Sequence, residues 1–441
     1  MSDSARPKIR VALATLGCKV NQYESASFAS SFEERGAELV DFGGPADVSV
    51  VNTCAVTARA GAQSRNLIRR ALRANPEGRL VVTGCYSQIA AGQIVELSER
   101  PICIVGNGHK DKLVEIALAG KSCDLEMYLG DIGRKREICR LPVRRFADRT
   151  RAFLRVQDGC NRFCTYCIVP YARGRSRSLP PAELLAQAEV FAREGYREAV
   201  ITGIHVGHYG QDLAPPLVFA DLLKLLAGRE DGLRYRISSL EPLEVTAEVL
   251  ALVAGSGAFM PHLHIPLQSG DDAILRKMNR PYTRETFAEI VQACRAALPE
   301  AAIGVDVLAG FPGEDERAFG QTVELLERLP VTYLHVFPYS RRPGTVAAGF
   351  PGQVPEPVKE ERVAVLRALD RKKRAGFYAS QLGQVRPTLI EGRRTRANLR
   401  RGFTDNYVPV VCRAPESAVN QVLPVRLTEL TADGVLGTVE S

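Results

Sequence analysis

The stretch "DGCNRFCTYCIVPYARGRSRS", residues 158–178, places three of the chain's 11 cysteines, Cys160, Cys164 and Cys167, within eight positions. A closed structural zinc site takes four ligands, usually in paired C-x2-C units, and no second such pair lies nearby. Three thiolates on one loop instead suit one face of an iron–sulfur cube, leaving the fourth iron open to a small molecule. What decides the fold is the strand from which this loop departs.

That strand heads a series of six candidates: "AFLRVQDGC", "EAVITGIHVG", "LRYRISSLEP", "HLHIPLQSG", "IGVDVLAGFPGE" and "YLHVFPYSRRPGT". Helical segments such as "PPAELLAQAEVFAREGY" and "FADLLKLLAG" separate them. Several are almost continuously apolar, as strands buried on both faces are. Six β/α units predict a partial TIM-like barrel, whose chemistry sits at the carboxyl ends of its strands.

Upstream, β-like "KIRVALATLGC", "DVSVVNTC", "GRLVVTGC" and "ICIVGN" alternate with helical "NQYESASFASSFEERGAEL", "ARAGAQSRNLIRRALRANP" and "AAGQIVELSER". The alternation predicts an open parallel sheet with helices on its faces. Three of these strands end in cysteine, at Cys18, Cys54 and Cys85. Ligands of open α/β sheets bind outside the carboxyl ends of the strands, so these thiols are expected at one sheet edge. Gly17 and Gly84 permit tight turns close to a bulky ligand. Downstream, "EPVKEERVAVLRALDRKKRAGFYASQL" reads as one basic amphipathic helix. "QVRPTLIEG", "FTDNYVPVVC", "QVLPVRLTEL" and "GVLGTVES" then read as short strands of a small closed β-barrel.

The chain of 441 residues is 45% hydrophobic and 24% charged, the mix of a globular protein. It has no run of 18 apolar residues, so no membrane partner is expected. Its start, "MSDSARPKIRVALATLG", lacks a signal-peptide pattern. The expected location is therefore the cytoplasm, where thiols stay reduced and eleven cysteines suggest metal ligation. The net charge of +8 is uneven. Residues 133–151 hold eight Arg/Lys against two acids, and 393–401 hold five Arg and no acid, which suits a polyanionic partner.

With Tyr166 before the last cysteine and a six-unit barrel behind it, the CxxxCxxC loop resembles the radical S-adenosylmethionine superfamily. Together with "LGCKVNQYES", "VNTCAVT" and "VTGCY", it resembles the methylthiotransferases along nearly the whole chain. The resemblance implies an N-terminal methylthiotransferase domain (8–120) and a basic linker (121–145). A radical core (146–376) and a C-terminal all-β barrel of the TRAM type that binds RNA (379–441) complete the chain. It implies two 4Fe–4S clusters, the radical one on Cys160, Cys164 and Cys167 and an auxiliary one on Cys18, Cys54 and Cys85. No catalytic residue is assigned beyond these ligands. One S-adenosylmethionine supplies a methyl group to sulfur and a second generates the radical that opens a C–H bond. An electron donor such as flavodoxin or ferredoxin is implied, and the sulfur source is left open.

Three branches of that family differ in substrate: isopentenylated adenosine in tRNA, threonylcarbamoyladenosine in tRNA, or a ribosomal-protein aspartate. The words "LGCKVNQYE", "NTCAVT" and "HVFPYSRRPGT" most resemble the second, acting beside the anticodon at position 37. Arg393, Arg394 and Arg396 are candidate RNA contacts, with Phe403 and Tyr407 placed to stack on unpaired bases. Arg173, Arg175 and Arg177 are expected on a rim facing RNA or cofactor. Thr202, Gly203 and Ser239 (or Ser238) are candidates for holding S-adenosylmethionine, followed by Gln268 and Asp306. Cys103 and Cys294 are expected as core residues, and Cys123, Cys139 and Cys412 as free thiols. His205, His208, His262, His264 and His335 are expected to pack at the rim or core.

Overall fold

The computed structural model describes residues 8–120, 124–147 and 149–440. Cys123 lies outside them.

The N-terminal sheet runs β2-β1-β3-β4-β5-β6, all parallel. Its strands are β1 (Arg10–Thr15), β2 (Glu38–Val40), β3 (Val48–Thr53), β4 (Arg79–Gly84), β5 (Cys103–Val105) and β6 (Glu126–Tyr128). Helices α1 (Lys19–Glu34), α2 (Ala58–Ala74) and α3 (Cys85–Ile89) follow β1, β3 and β4. β3 and β4 are buried at every position, which accounts for their apolar character. Cys103 is buried in β5 as expected. The helical reading of "AAGQIVELSER" shrinks to five residues, Ala91–Val95.

The segment expected as a linker is not loose. Glu126–Tyr128 adds the sixth strand of the sheet. Further on, Ile138, Leu141, Val143 and Phe146 are buried in a core shared by both α/β domains. The basic residues point outward from this strap, and Arg140 and Arg144 pair with Glu183 and Glu194.

The six expected barrel strands are β7 (Arg151–Arg155), β8 (Glu198–Thr202), β9 (Arg234–Ile237), β10 (His262–His264), β11 (Ala302–Ala309) and β12 (Tyr333–Pro338). They pair in parallel in chain order, with a Ser239–His264 bridge joining β9 to β10. No pairing joins β7 to β12 among the described residues, so the barrel is open on one side. Helix α4 (Val169–Arg173) closes the cysteine loop, and α5 (Glu356–Ser380) leads out of the barrel.

The C-terminal domain is a closed barrel of five strands, in order β13-β14-β15-β17-β16. They are β13 (Val385–Arg394), β14 (Arg400–Thr404), β15 (Pro409–Cys412), β16 (Val422–Thr431) and β17 (Gly434–Val439). The run "FTDNYVPVVC" is two strands, not one. Tyr407 turns the chain at φ +71°, and Thr404 N–H donates to the Val408 carbonyl across the reversal.

Candidate cluster sites and a neighbouring cavity

The loop after β7 is fixed at both ends. Gln157–Asp158 pairs antiparallel with Arg177–Ser178, and Cys160 N–H donates to the Gly174 carbonyl at 3.0 Å. Gly159 has φ +76°, and a Cβ there would lie 2.0 Å from the Arg175 carbonyl oxygen. Within the loop Cys167 N–H donates to the Cys164 carbonyl, and Thr165 N–H to that of Met278. This brings Cys160, Cys164 and Cys167 together at the carboxyl end of β7.

Partners that the sequence did not reveal hold these thiols. Arg280 donates to Cys164 Sγ at 3.3 Å and to Tyr282 Oη at 3.0 Å, and also pairs with Glu241. His205 Nδ1 lies 3.4 Å from Cys160 Sγ, and its Nε2 lies 2.6 Å from Glu244. Burial disfavours charge on His205, but its bonds to Cys160 and Glu244 raise it to about 9. Gln157 donates to the Gly159 carbonyl at 2.6 Å and accepts from the backbone N–H of Ile204 and His205. Burial pushes the Cys167 thiol up to about 12, so at neutral pH a cation has to displace its proton.

Cys18, Cys54 and Cys85 meet at the carboxyl edge of β1, β3 and β4. Cys18 is the N-cap of α1 and Cys85 opens α3. Gly17 and Gly84 both have φ +99°; a Cβ on Gly17 would lie 2.8 Å from Cys54 Sγ. Burial pushes Cys54 up to about 11, and the neighbouring Cys85 and Cys18 act in the same direction.

The rim reading of "RGRSRS" needs correction. Arg173 and Arg177 are buried and only Arg175 is exposed, its guanidinium 4.7 Å above the Phe163 ring. Arg173 binds Glu24 at 2.9 Å and Asp158 at 2.8 Å, and its Nε donates to Cys85 Sγ at 3.3 Å. Lys110 pairs with Glu24, and Arg177 with Asp158. Two buried carboxylates require such partners. The arrangement leaves one more cation than carboxylates beside the thiols, so a group carrying three thiolates fits there.

A cavity of about 1610 Å³ is bounded by the barrel interior, α1 and the C-terminal barrel; Lys19, next to Cys18 in the chain, lines it, but none of the six cysteines does. Ser239 is exposed on its wall, whereas Thr202 is buried at the end of β8. Gly203 is half-buried, and a Cβ on it would lie 3.0 Å from Gln157 Oε1. Gln268 has φ +67° and donates its N–H to the Asp306 carbonyl. The Asp306 carboxylate binds His264 at 2.9 Å and His335 at 3.5 Å, which hold it below the usual carboxylate range despite burial.

The arginine candidates separate. Arg393 lines the cavity, Arg394 pairs with Glu416 at 3.0 Å, and Arg396 is exposed in the turn between β13 and β14. Phe403 and Tyr407 are half-buried and stacked on each other with centroids 5.1 Å apart. Arg151 lies 4.5 Å over Phe403, and Tyr407 packs 4.5 Å from His262. Both rings therefore face the cavity. Cys139, Cys294 and Cys412 are buried and free. No helix among the described residues is long and apolar enough to cross a membrane.

Two family models match the chain: the radical SAM superfamily over residues 154–326, and an uncharacterized protein family, UPF0004, over residues 10–106. The chain is 40% identical over 430 residues to the threonylcarbamoyladenosine tRNA methylthiotransferase MtaB of Bacillus subtilis, covering 95% of this chain and 93% of the relative. It is 38% identical to the MtaB of Aquifex aeolicus, covering 91% and 96%. A tRNA-2-methylthio-N(6)-dimethylallyladenosine synthase of Pelotomaculum thermopropionicum is 32% identical, covering 94% of each. Among solved structures, the radical S-adenosylmethionine methyltransferase TsrM of Kitasatospora setae shares the fold with a TM-score of 0.56. The two are 17% identical over 77% of each chain.

Proposed function

This chain belongs to the family of radical S-adenosylmethionine methylthiotransferases, and on that premise we propose that it converts threonylcarbamoyladenosine at position 37 of tRNA to its 2-methylthio derivative. The supporting observation is the presence of two three-thiol edges in one chain, tied together through Arg173, with a basic-walled cavity beside α1 and the barrel interior. In this reading Cys160, Cys164 and Cys167 hold the radical cluster, and Cys18, Cys54 and Cys85 the auxiliary one.

When bound, the 4Fe–4S clusters and S-adenosylmethionine supply the electron, the hydrogen-abstracting radical and the methylthio group. The chain's own residues do the positioning. Arg280 and His205 each offer a hydrogen bond to a radical-site thiolate, and Arg173 offers one to Cys85. Gln157 sets the backbone path around Gly159 and Gly203, where the methionyl end of the cofactor would lie, with Ser239 toward its ribose. A base can reach that depth only out of its stack, which an anticodon loop allows most readily. Arg393 at the mouth would meet phosphate. The electron would come from a carrier such as flavodoxin or ferredoxin.

The alternative substrates have less support. The dimethylallyladenosine enzymes are also relatives, at lower identity than the MtaB proteins, and the wall of this cavity carries histidines and arginines beside its apolar residues. A protein aspartate does not call for the basic mouth.

Nucleoside analysis of tRNA from a deletion strain tests the reading. Loss of 2-methylthio-threonylcarbamoyladenosine with accumulation of its precursor is expected; its persistence, with no second gene copy, would sink the assignment. Anaerobic reconstitution should load about eight irons per chain, and the reduced protein should release 5′-deoxyadenosine from S-adenosylmethionine.

A further inference from the structure

The relatives named above act on two adenosines whose N6 substituents differ in charge: dimethylallyl is a hydrocarbon, and threonylcarbamoyl ends in a carboxylate. A carboxylate taken into a protein cavity needs a cationic partner, because burying it unpaired costs far more than the contact returns. The question is which cation in the cavity is free to serve.

Most are already engaged. Arg151 pairs with Glu391 at 3.1 Å. Arg236 pairs with Glu198 at 2.8 Å and donates to the Asp405 carbonyl at 2.8 Å. His264 and His335 share Asp306. Arg149 lies close enough to Arg393 and Arg151 that burial and their charges lower its pKa, a like-charge group suited to a phosphate outside.

Lys19 stands apart. It is exposed on the cavity wall and makes no hydrogen bond or ion pair among the described residues. Its charge, with those of Arg236 and Arg151, bears on His262 of the inner barrel wall. It is also the first residue of α1, a 16-residue helix whose N-terminal dipole adds positive potential there.

Its position fits the chemistry. Lys19 directly follows Cys18, and consecutive Cα atoms are about 3.8 Å apart, so sulfur delivery and anion capture would be one side chain's reach from each other. In adenine, C2 and the N6-bearing C6 are both bonded to N1. A group held at Lys19 thus fixes the ring whose C2 receives the sulfur.

We infer that Lys19 binds the carboxylate of the substrate's N6 substituent and so selects an anionic over an apolar adenosine modification. The assignment rests on the substrate reading above, and the test separates the two. Full-length protein, reconstituted anaerobically, is titrated with anticodon stem-loop RNAs bearing threonylcarbamoyladenosine, its methyl ester, or dimethylallyladenosine. A charge-assisted hydrogen bond predicts that wild type binds the free acid about tenfold or more tighter than the ester. Lys19→Gln should abolish that preference and leave the other two affinities unchanged, and Lys19→Arg should retain most of it. Iron content of each variant is measured alongside. Equal weakening of all three RNAs by Lys19→Gln would mean a backbone phosphate contact and overturn the inference. So would equal binding of acid and ester by a wild-type enzyme that converts the threonylcarbamoyl RNA. If wild type methylthiolates only the dimethylallyl RNA, the substrate reading itself fails, and the Lys19 assignment with it.

Discussion

Arg173 donates from Nε to Cys85 Sγ across 3.3 Å while its Nη1 donates to Glu24 at 2.9 Å and to Asp158 at 2.8 Å. Glu24 and Cys85 belong to the N-terminal sheet domain, and Asp158 and Arg173 flank Cys160, Cys164 and Cys167. One guanidinium therefore ties the elements that carry the two triads to each other.

Removing that guanidinium takes one of two cationic partners from each of two buried carboxylates, leaving Glu24 with Lys110 and Asp158 with Arg177. Arg173→Ala is expected to cost about 3–5 kcal/mol of stability, the range for breaking a buried ion pair from one side. Arg173→Lys should recover only part, because an ammonium cannot reproduce the fork that spans Glu24, Asp158 and Cys85. Urea denaturation of the three proteins checks this. A loss below about 1 kcal/mol, the range of exposed pairs, would mean the network does not hold the domains.

Glu198 gives a pH-dependent counterpart at the other end of the barrel. It is fully buried; burial alone would raise its pKa, but Arg236 and Arg234, each 2.8 Å away, lower it to about 2. Its ordinary value is about 4.3. The unfolded chain therefore binds the proton first as pH falls, so the stabilisation is full above the ordinary value and is lost as pH falls toward 2. Between pH 5.5 and 3.5 this group should account for about 1 kcal/mol of lost stability. Glu198→Gln should be less stable at neutral pH and show a shallower decline over that interval. Urea midpoints at the two pH values decide it, and parallel slopes would refute the claim.

Gly17 is the most sensitive point of the auxiliary edge. At φ +99° a side chain is strained, and its Cβ would lie 2.8 Å from Cys54 Sγ and 2.9 Å from Cys54 Cβ. Gly17→Ala should displace one ligand of that triad and spare the other triad. Iron should fall from about eight to about four per chain. Release of 5′-deoxyadenosine should persist while methylthiolation stops. Full iron loading of the variant would show that the Cys18 turn tolerates a side chain.

Much of this architecture was legible because repeated features carried it. Three N-terminal strands ending in cysteine put Cys18, Cys54 and Cys85 at one sheet edge, and six apolar runs with polar ends mark the barrel. What escaped was non-local. Arg173 reads as one charge in a basic run because Glu24 is 149 residues away in the chain. Arg280 and Glu244 lie in stretches with no cysteine nearby, and only folding brings them to the radical-site thiols or to His205. The edge strands β2 and β6 have three residues each, too few for a periodic pattern. The turn at Asp405–Val408 was written in "TDNY", but the apolar residues beyond it masked the break.

The same non-locality sharpens the RNA prediction. Arg393 and Arg394 are neighbours in sequence and equivalent by composition, yet they differ in the fold. Arg394 donates to Glu416, as does Arg400, so its charge is partly offset in place. Arg393 lines the cavity mouth near Arg149 and has no ion pair among the described residues. A phosphate contact at Arg393 releases counterions; at Arg394 the gain is offset by breaking the Glu416 pair. Arg393→Ala should therefore weaken tRNA binding and lower the magnitude of the log Kd versus log salt slope by about 0.7–0.9. Arg394→Ala should change that slope by less than half as much. Filter binding of unmodified tRNA at four salt concentrations measures both. Equal slopes for the two variants would place the phosphate path over the outer hairpin of β13 and β14 instead of through the cavity mouth.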